Sequence, residues 1–221
     1  MPKGRAGLFF PATSALNPLE PAVKRTAVFV DGQNLFHAAR EAFGHRHPNY
    51  DVRALAIRLC QWRAWRLVQT RFYTGVPTRA DNLGWHRFWE AKLRAISRQG
   101  VQVYTRPLRF RRRTVKLPDG TVYGFRTGEE KGIDVRIALD IVRMAHRGEY
   151  DVGLVLSQDQ DLSEAADEIC VIASEQNRWI KLACAFPLSR TSPNRRGIDK
   201  TDWISIDRAT YDSCLDRRDY R

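Results

Sequence analysis

From Thr26 onward, short β-rich apolar runs alternate with longer stretches of helical periodicity, and this alternation restricts the fold more than any other feature. Thr26-Ala-Val-Phe-Val30 is the first run, followed by Asp31-Gly32 and a helical stretch to about Phe43. Asp51 to Trp65 reads as a helix through Val52, Leu55, Leu59 and Trp62, and Leu67 to Tyr73 as a second strand. In Asp81 to Arg98, Trp85, Trp89, Leu93 and Ile96 recur at three- and four-residue steps, the mark of a one-sided helix. Gly100 stops that helix, and Val101 to Leu108 is a third strand. Lys131 to His146 places Ile133, Ile137, Ile141 and Met144 on one helical face before Gly148. Val152 to Leu156 is a fourth core strand, Leu162 to Gln176 a helix, Ile180 to Phe186 a fifth strand, and Trp203 to Ile206 a short further one. Strands alternating with helices imply crossover units and a parallel sheet covered on both faces. The expected fold is therefore α/β: a three-layer domain with a mainly parallel central sheet.

One segment breaks the pattern. Arg109 to Arg126 carries Pro118-Asp119-Gly120 between two strand-like pieces, the signature of a hairpin inserted at about 109–127. The expected organisation is a loosely packed tail over 1–24, with Pro11, Pro18 and Pro21, then one domain over 25–221 whose C-terminal extension begins near 187.

Composition narrows the setting. Hydrophobic residues make up 43% of the chain, enough for a core, yet no apolar run approaches the ~18 residues that span a bilayer. Gly7-Leu-Phe-Phe10 follows Lys3 and Arg5, but Pro11 cuts the run short of a signal sequence. The scattered Cys60, Cys170, Cys184 and Cys214 form no C-x-x-C pair, so reduced thiols and a cytoplasmic location are expected. With 37 Lys and Arg against 25 acidic residues, the formal charge of +12 favours a polyanionic partner, and nucleic acid is the foremost.

The acids lie where such a fold gathers ligands, at the carboxyl ends of strands. Asp31 directly follows the first strand, and Asp159 and Asp161 directly follow the fourth. Asp134 sits in the first turn of the helix feeding that fourth strand. Each has a structural alternative when taken singly. Asp161-Leu-Ser-Glu164 can be a capping box, Asp134 can complement a helix dipole, and Asp31-Gly32 can be a plain turn. Together they suggest more. Gathered carboxylates repel one another and lose hydration, and a hard divalent cation, Mg²⁺ or Mn²⁺, relieves both costs.

The stretches Val28 to Phe36 (VFVDGQNLF), Glu130 to Val142 (EKGIDVRIALDIV) and Tyr150 to Leu162 (YDVGLVLSQDQDL) resemble the three blocks of the NYN domain. That domain belongs to the PIN-like nuclease superfamily, and the LabA-like branch is the most similar. The resemblance covers about Thr26 to Phe186. It implies a PIN-like fold and a metal-dependent ribonuclease, with Asp31, Asn34, Asp134, Asp159 and Asp161 at the motif positions. It leaves the oligomeric state open and admits a homodimer. Two departures stand out. Gln158 replaces a common glycine and could narrow the pocket mouth, and Leu162 replaces a usual aromatic.

In that reading the four aspartates hold the metal and Asn34 fixes a water or a neighbouring carboxylate. Ser157 could donate to a phosphate, and Lys131 could contact one. Asp140 falls on another helix face and is expected to be solvated or paired with Arg136 or Arg143. The hairpin would supply an RNA-binding arm, since Arg109, Arg111, Arg112 and Arg113 lie among Phe110, Tyr123 and Phe125, a mixture suited to single-stranded RNA. Its alternative is a solvated hairpin whose charges protect exposed edges. Other patterns fit poorly: Gln33 stands where a dehalogenase-type phosphoesterase needs a second acid, and the G-x-G-x-x-G of dinucleotide binding does not follow the first strand. His45 and His47, without cysteine partners, are expected to be solvated. A non-catalytic RNA-binding or scaffold protein is the rival from another class.

Overall fold

The computed structural model describes residues 18–220. The Gly7 to Phe10 stretch and most of the expected tail lie outside the described residues. Six strands form one sheet in which every pair is parallel: β1 (Arg25–Asp31), β2 (Arg66–Val76), β3 (Gln102–Pro107), β6 (Val152–Leu156), β7 (Lys181–Pro187) and β8 (Asp202–Ile206). Their order is β3-β2-β1-β6-β7-β8. The chain thus builds outward from β1 to one side, then returns to β6 and builds to the other. β1 and β6 sit at the centre, where helices cover both faces. This explains why both read as nearly continuous apolar runs, and all five residues of β6 are buried.

The alternation of side chains along these strands feeds two cores. Val28, Val30, Leu154 and Leu156 face α1 (Gly32–Phe43), α2 (Val52–Trp62) and α3 (Leu83–Arg98). Ala27, Phe29 and Val155 face α4 (Ile133–His146) and α5 (Ser163–Glu175). The expected strands and helices all form, with ends displaced by a few residues. Trp203 to Ile206 becomes β8, a full member of the sheet, and a short α6 (Arg208–Asp212) follows. The four cysteines are free thiols. No helix among the described residues is long and apolar enough to cross a membrane.

At the lower end of the sheet Asp151 clamps Arg25, with Oδ1 at 2.8 Å from Nη2 and Oδ2 accepting the Arg25 backbone N–H at 2.8 Å. This joins the starts of β1 and β6. The interrupting segment is an antiparallel pair separate from the main sheet, β4 (Arg109–Lys116) with β5 (Val122–Glu129). Its turn is closed by Thr121 N–H donating to Asp119 Oδ1 at 2.9 Å and by Gly120 at φ 85°, a backbone angle glycine adopts freely. Of the two alternatives for Asp140, pairing with Arg136 is the one found: the carboxylate is buried and held by Arg71, the Tyr73 hydroxyl and Arg136, at 2.6, 2.9 and 3.1 Å. One polar expectation is corrected. His45 is half-buried, 3.0 Å from Asp212 and stacked on Tyr211 at 5.1 Å.

A buried ion pair fastens the C-terminal segment. Lys92 of α3, only 1% exposed, donates to the Tyr50 carbonyl at 3.0 Å and lies 3.5 Å from Asp216. Removing one partner of such a pair leaves an uncompensated charge, at a cost of about 3–5 kcal/mol. Asp216→Ala is therefore expected to lower unfolding stability by about that amount in urea denaturation, and adding Lys92→Met is expected to recover much of the loss. An Asp216→Ala chain as stable as the parent would contradict this reading of the segment.

Candidate active site at the sheet switch point

The reversal of strand order places a crevice above the carboxyl ends of β1 and β6, where open α/β sheets bind ligands. Asp31 is the last residue of β1 and also the cap of α1, its Oδ1 accepting the Asn34 backbone N–H at 3.0 Å. Ser157, just beyond β6, donates its hydroxyl to Asp31 Oδ2 at 3.3 Å and accepts the Asp159 N–H at 3.1 Å. Asn34 reaches across the same boundary, its Oδ1 accepting the Gln158 N–H at 2.9 Å. These bonds fix the β1 and β6 exits as one unit.

A 580 Å³ pocket opens there, lined by Asp31, Asn34, Glu130, Lys131, Asp134 and Asp159 among others. The end of β5 and the start of α4 form its opposite wall. Gly132, at φ 71°, makes the sharp turn that puts Asp134 in the first helical turn facing the cavity. Glu130 was not singled out from the sequence. Its Oε1 accepts the Gly75 N–H at the end of β2 and, at 3.4 Å, the Thr74 hydroxyl. Its position within the Glu-Lys-Gly-Ile-Asp block was the available signal.

Not every expected residue arrives. Asp161 is exposed and does not line the pocket, because the 3-10 turn at 160–162 carries it outward. Its backbone N–H donates to Asp159 Oδ1 at 3.1 Å, so Asp159, not Asp161, caps that turn. Ser157 is 1% exposed, and its hydroxyl is directed at Asp31. Gln158 does not narrow the mouth. Its side chain donates to the Arg196 carbonyl at 2.8 Å, and Gln160 donates to the Gly197 carbonyl at 2.8 Å, so these two glutamines pin the basic 187–200 loop beside the site. Leu162 is buried in the core beneath α4 and α5.

On the hairpin, alternate residues share a face, so Arg109, Arg111 and Arg113 lie with Glu129, whereas Arg112 lies opposite, across from Arg126. Arg111 and Arg113 reach Glu129 at 3.3 and 2.5 Å. Because Glu129 lines the pocket, these contacts draw guanidinium groups toward its mouth.

Electrostatics mark Asp31 and Glu130. Burial pushes the Asp31 carboxyl up to about 6, opposed by the Asn34 N–H and reinforced by the Asp159 charge. Burial likewise raises Glu130 to about 7, opposed by the Gly75 N–H and reinforced by Asp31 and Asp134. The Asp134 carboxylate has no hydrogen bond or ion pair among the described residues. In chemistry this all-oxygen donor set fits a hard divalent cation. In position it is open: among the described residues no three His, Cys, Asp or Glu side chains are arranged to hold one ion.

The NYN domain family matches residues 25–170, more than half of the chain, and the protein belongs to that family, within the PIN-like nuclease superfamily. Members are usually nucleases that act on RNA. Among solved structures, a protein of unknown function from Vibrio parahaemolyticus is similar over 86% of this chain and 97% of its own, at 20% identity and a TM-score of 0.50, a likeness of fold alone. MurG of Acinetobacter baumannii is similar at 10% identity over 82% of this chain and 45% of its own, and its TM-score of 0.33 is too low to carry meaning. No curated protein matches the chain.

The raised carboxyls set the sign of a pH effect. Between about pH 4 and pH 7 the folded chain holds more protons at Asp31 and Glu130 than the unfolded chain does, so stability falls as pH rises through that window. For Asp31 the shift corresponds to on the order of 3 kcal/mol. His37, pushed down by desolvation and by Arg40, acts in the opposite sense, so a variant comparison isolates the acid. In EDTA, the melting temperature of the parent chain is expected to drop more than that of Asp31→Asn between about pH 5 and about pH 8. Parallel curves for the two proteins would show that Asp31 ionises freely.

Proposed function

We propose that the protein is a metal-dependent ribonuclease hydrolysing phosphodiester bonds of single-stranded RNA. The observation that carries this reading is the meeting of Asp31, Glu130, Asp134 and Asp159, from three segments of the chain, in one pocket at the β1/β6 switch point of an NYN domain. Asp31, Asp134 and Asp159, with Glu130 beside them, would hold Mg²⁺ or Mn²⁺, and the ion when bound would supply Lewis acidity and lower the pKa of a water. Ser157 orients Asp31 and Asp159, and Asn34, which lines the pocket, ties the β1 exit to the Gln158 backbone. Lys131, exposed on the pocket wall, meets a phosphate oxygen. The hairpin arginines guide the strand, with the stacked Tyr123 and Phe125 rings, 6.4 Å apart, offering a surface for bases.

One observation favours a second reading, an RNA-binding scaffold that has lost turnover: the acids do not close around a single point. Cleavage of labelled single-stranded RNA in Mn²⁺ separates the two. Asp31→Asn, Asp134→Asn and Asp159→Asn are each expected to lose at least about a hundredfold in rate, and Asp161→Asn only a few fold. Retained RNA affinity with no cleavage by the parent protein would establish the scaffold reading. Replacing Arg111, Arg112 and Arg113 together with alanine is expected to weaken binding and to flatten its salt dependence by about two to three charges. An unchanged slope would remove the hairpin from the interface.

A further inference from the structure

A second cavity, of 640 Å³, lies away from the carboxylates, between α3 and the loop joining α1 to α2. Its chemistry is the reverse of the first. Arg46, His47 and Arg87 border it, and Trp85, Phe88 and Tyr220 supply rings. Phe88 is buried and Tyr220 half-buried, whereas Trp85 is 42% exposed. Trp85 meets Phe88 edge to face at 5.2 Å, and Phe88 meets Tyr220 in the same way at 5.8 Å. Trp85 has no stacked neighbour among the described residues, so a flat ring can lie against it. Arg46, His47 and Arg87 have no hydrogen bond or ion pair among the described residues. Unpaired cations around an exposed aromatic ring complement an anion that carries a flat base, and they complement an apolar peptide poorly.

The rim of the cavity is tied to the hairpin that walls the first pocket. Asn82 on its wall follows Asp81, whose Oδ1 accepts from Arg126 of β5 at 3.2 Å. Arg126 lies four residues before Glu130 on the wall of the first pocket, roughly 13 Å of strand.

We propose that this cavity is a nucleotide subsite, stacking one base of a single-stranded RNA on Trp85 and holding its phosphate with Arg46 and Arg87, while a neighbouring segment of the same strand occupies the carboxylate pocket. The proposal rests on the ribonuclease reading, but its test does not require turnover. Anisotropy of a labelled oligouridylate is measured in EDTA with the full chain, with Trp85→Ala, with Arg87→Ala and with Asp159→Asn, each checked for fold by circular dichroism. Trp85→Ala and Arg87→Ala are expected to weaken binding on the order of tenfold, and Arg87→Ala to reduce the salt slope by about one. Uridine 5′-monophosphate is expected to compete far more weakly than the oligonucleotide, as one unit of a strand does. Affinities within twofold of the parent for both folded variants would overturn the proposal, as would a mononucleotide that binds as tightly as the strand, or a parent protein that binds no RNA. If the two variants weaken binding and no chain cleaves RNA in Mn²⁺, the subsite stands and the ribonuclease reading fails. If the parent cleaves and the variants bind normally, the reverse holds.

Discussion

The pairing of β1 with β6 is the constraint on which the remainder depends. Their register runs from Thr26 opposite Val152 to Val30 opposite Leu156, so the residues that follow, Asp31 and Ser157, emerge side by side. The Arg25–Asp151 clamp secures one end of this pair. At the other end the Ser157 and Asn34 bonds tie the two exits together. One slipped residue would turn every side chain of β6 to the opposite face and take Ser157 and Asp159 out of step with Asp31. The site is thus a consequence of strand register in a doubly covered sheet, where both cores enforce it.

Charge is distributed around that centre in an ordered way. The chain is strongly basic overall, yet its central pocket gathers acids. Cations surround them at the hairpin, at Lys131 and in the loop held by Gln158 and Gln160. A basic surround raises the local concentration of a polyanion, while an acidic centre needs a counter-charge before a phosphate can enter. The Asp31 and Glu130 carboxyls are raised chiefly by burial, and the neighbouring acid charges add to the shift.

Much of this could be read from residues alone, and the parts that could not have physical reasons. Val152 to Leu156 was legible to the residue because a central parallel strand is apolar on both faces. Asp31 and Asp159 were legible because each directly follows such a strand. Asp161 has the same local credentials, but the 3-10 turn that rotates it outward is set by the Asp159 cap, a detail of backbone geometry. Glu130 stood inside a recognisable block, but its burial comes from contact with Thr74 and Gly75, more than fifty residues earlier in the chain, and local pattern does not show that. Gln158 looked like an obstruction until its side chain was seen to bond to a loop thirty-eight residues further on. Local pattern discloses strands and the acids that leave them; long-range packing decides which acids meet.

The central claim is that these acids act as one cation-binding unit. Calorimetric titration of Mn²⁺ into the apo protein tests it directly, because it needs neither RNA nor turnover. The account predicts saturable binding that releases protons near neutral pH, is abolished by Asp31→Asn and survives Asp161→Asn. Binding that is absent from the parent chain, or that is lost with Asp161 and kept without Asp31, would contradict it.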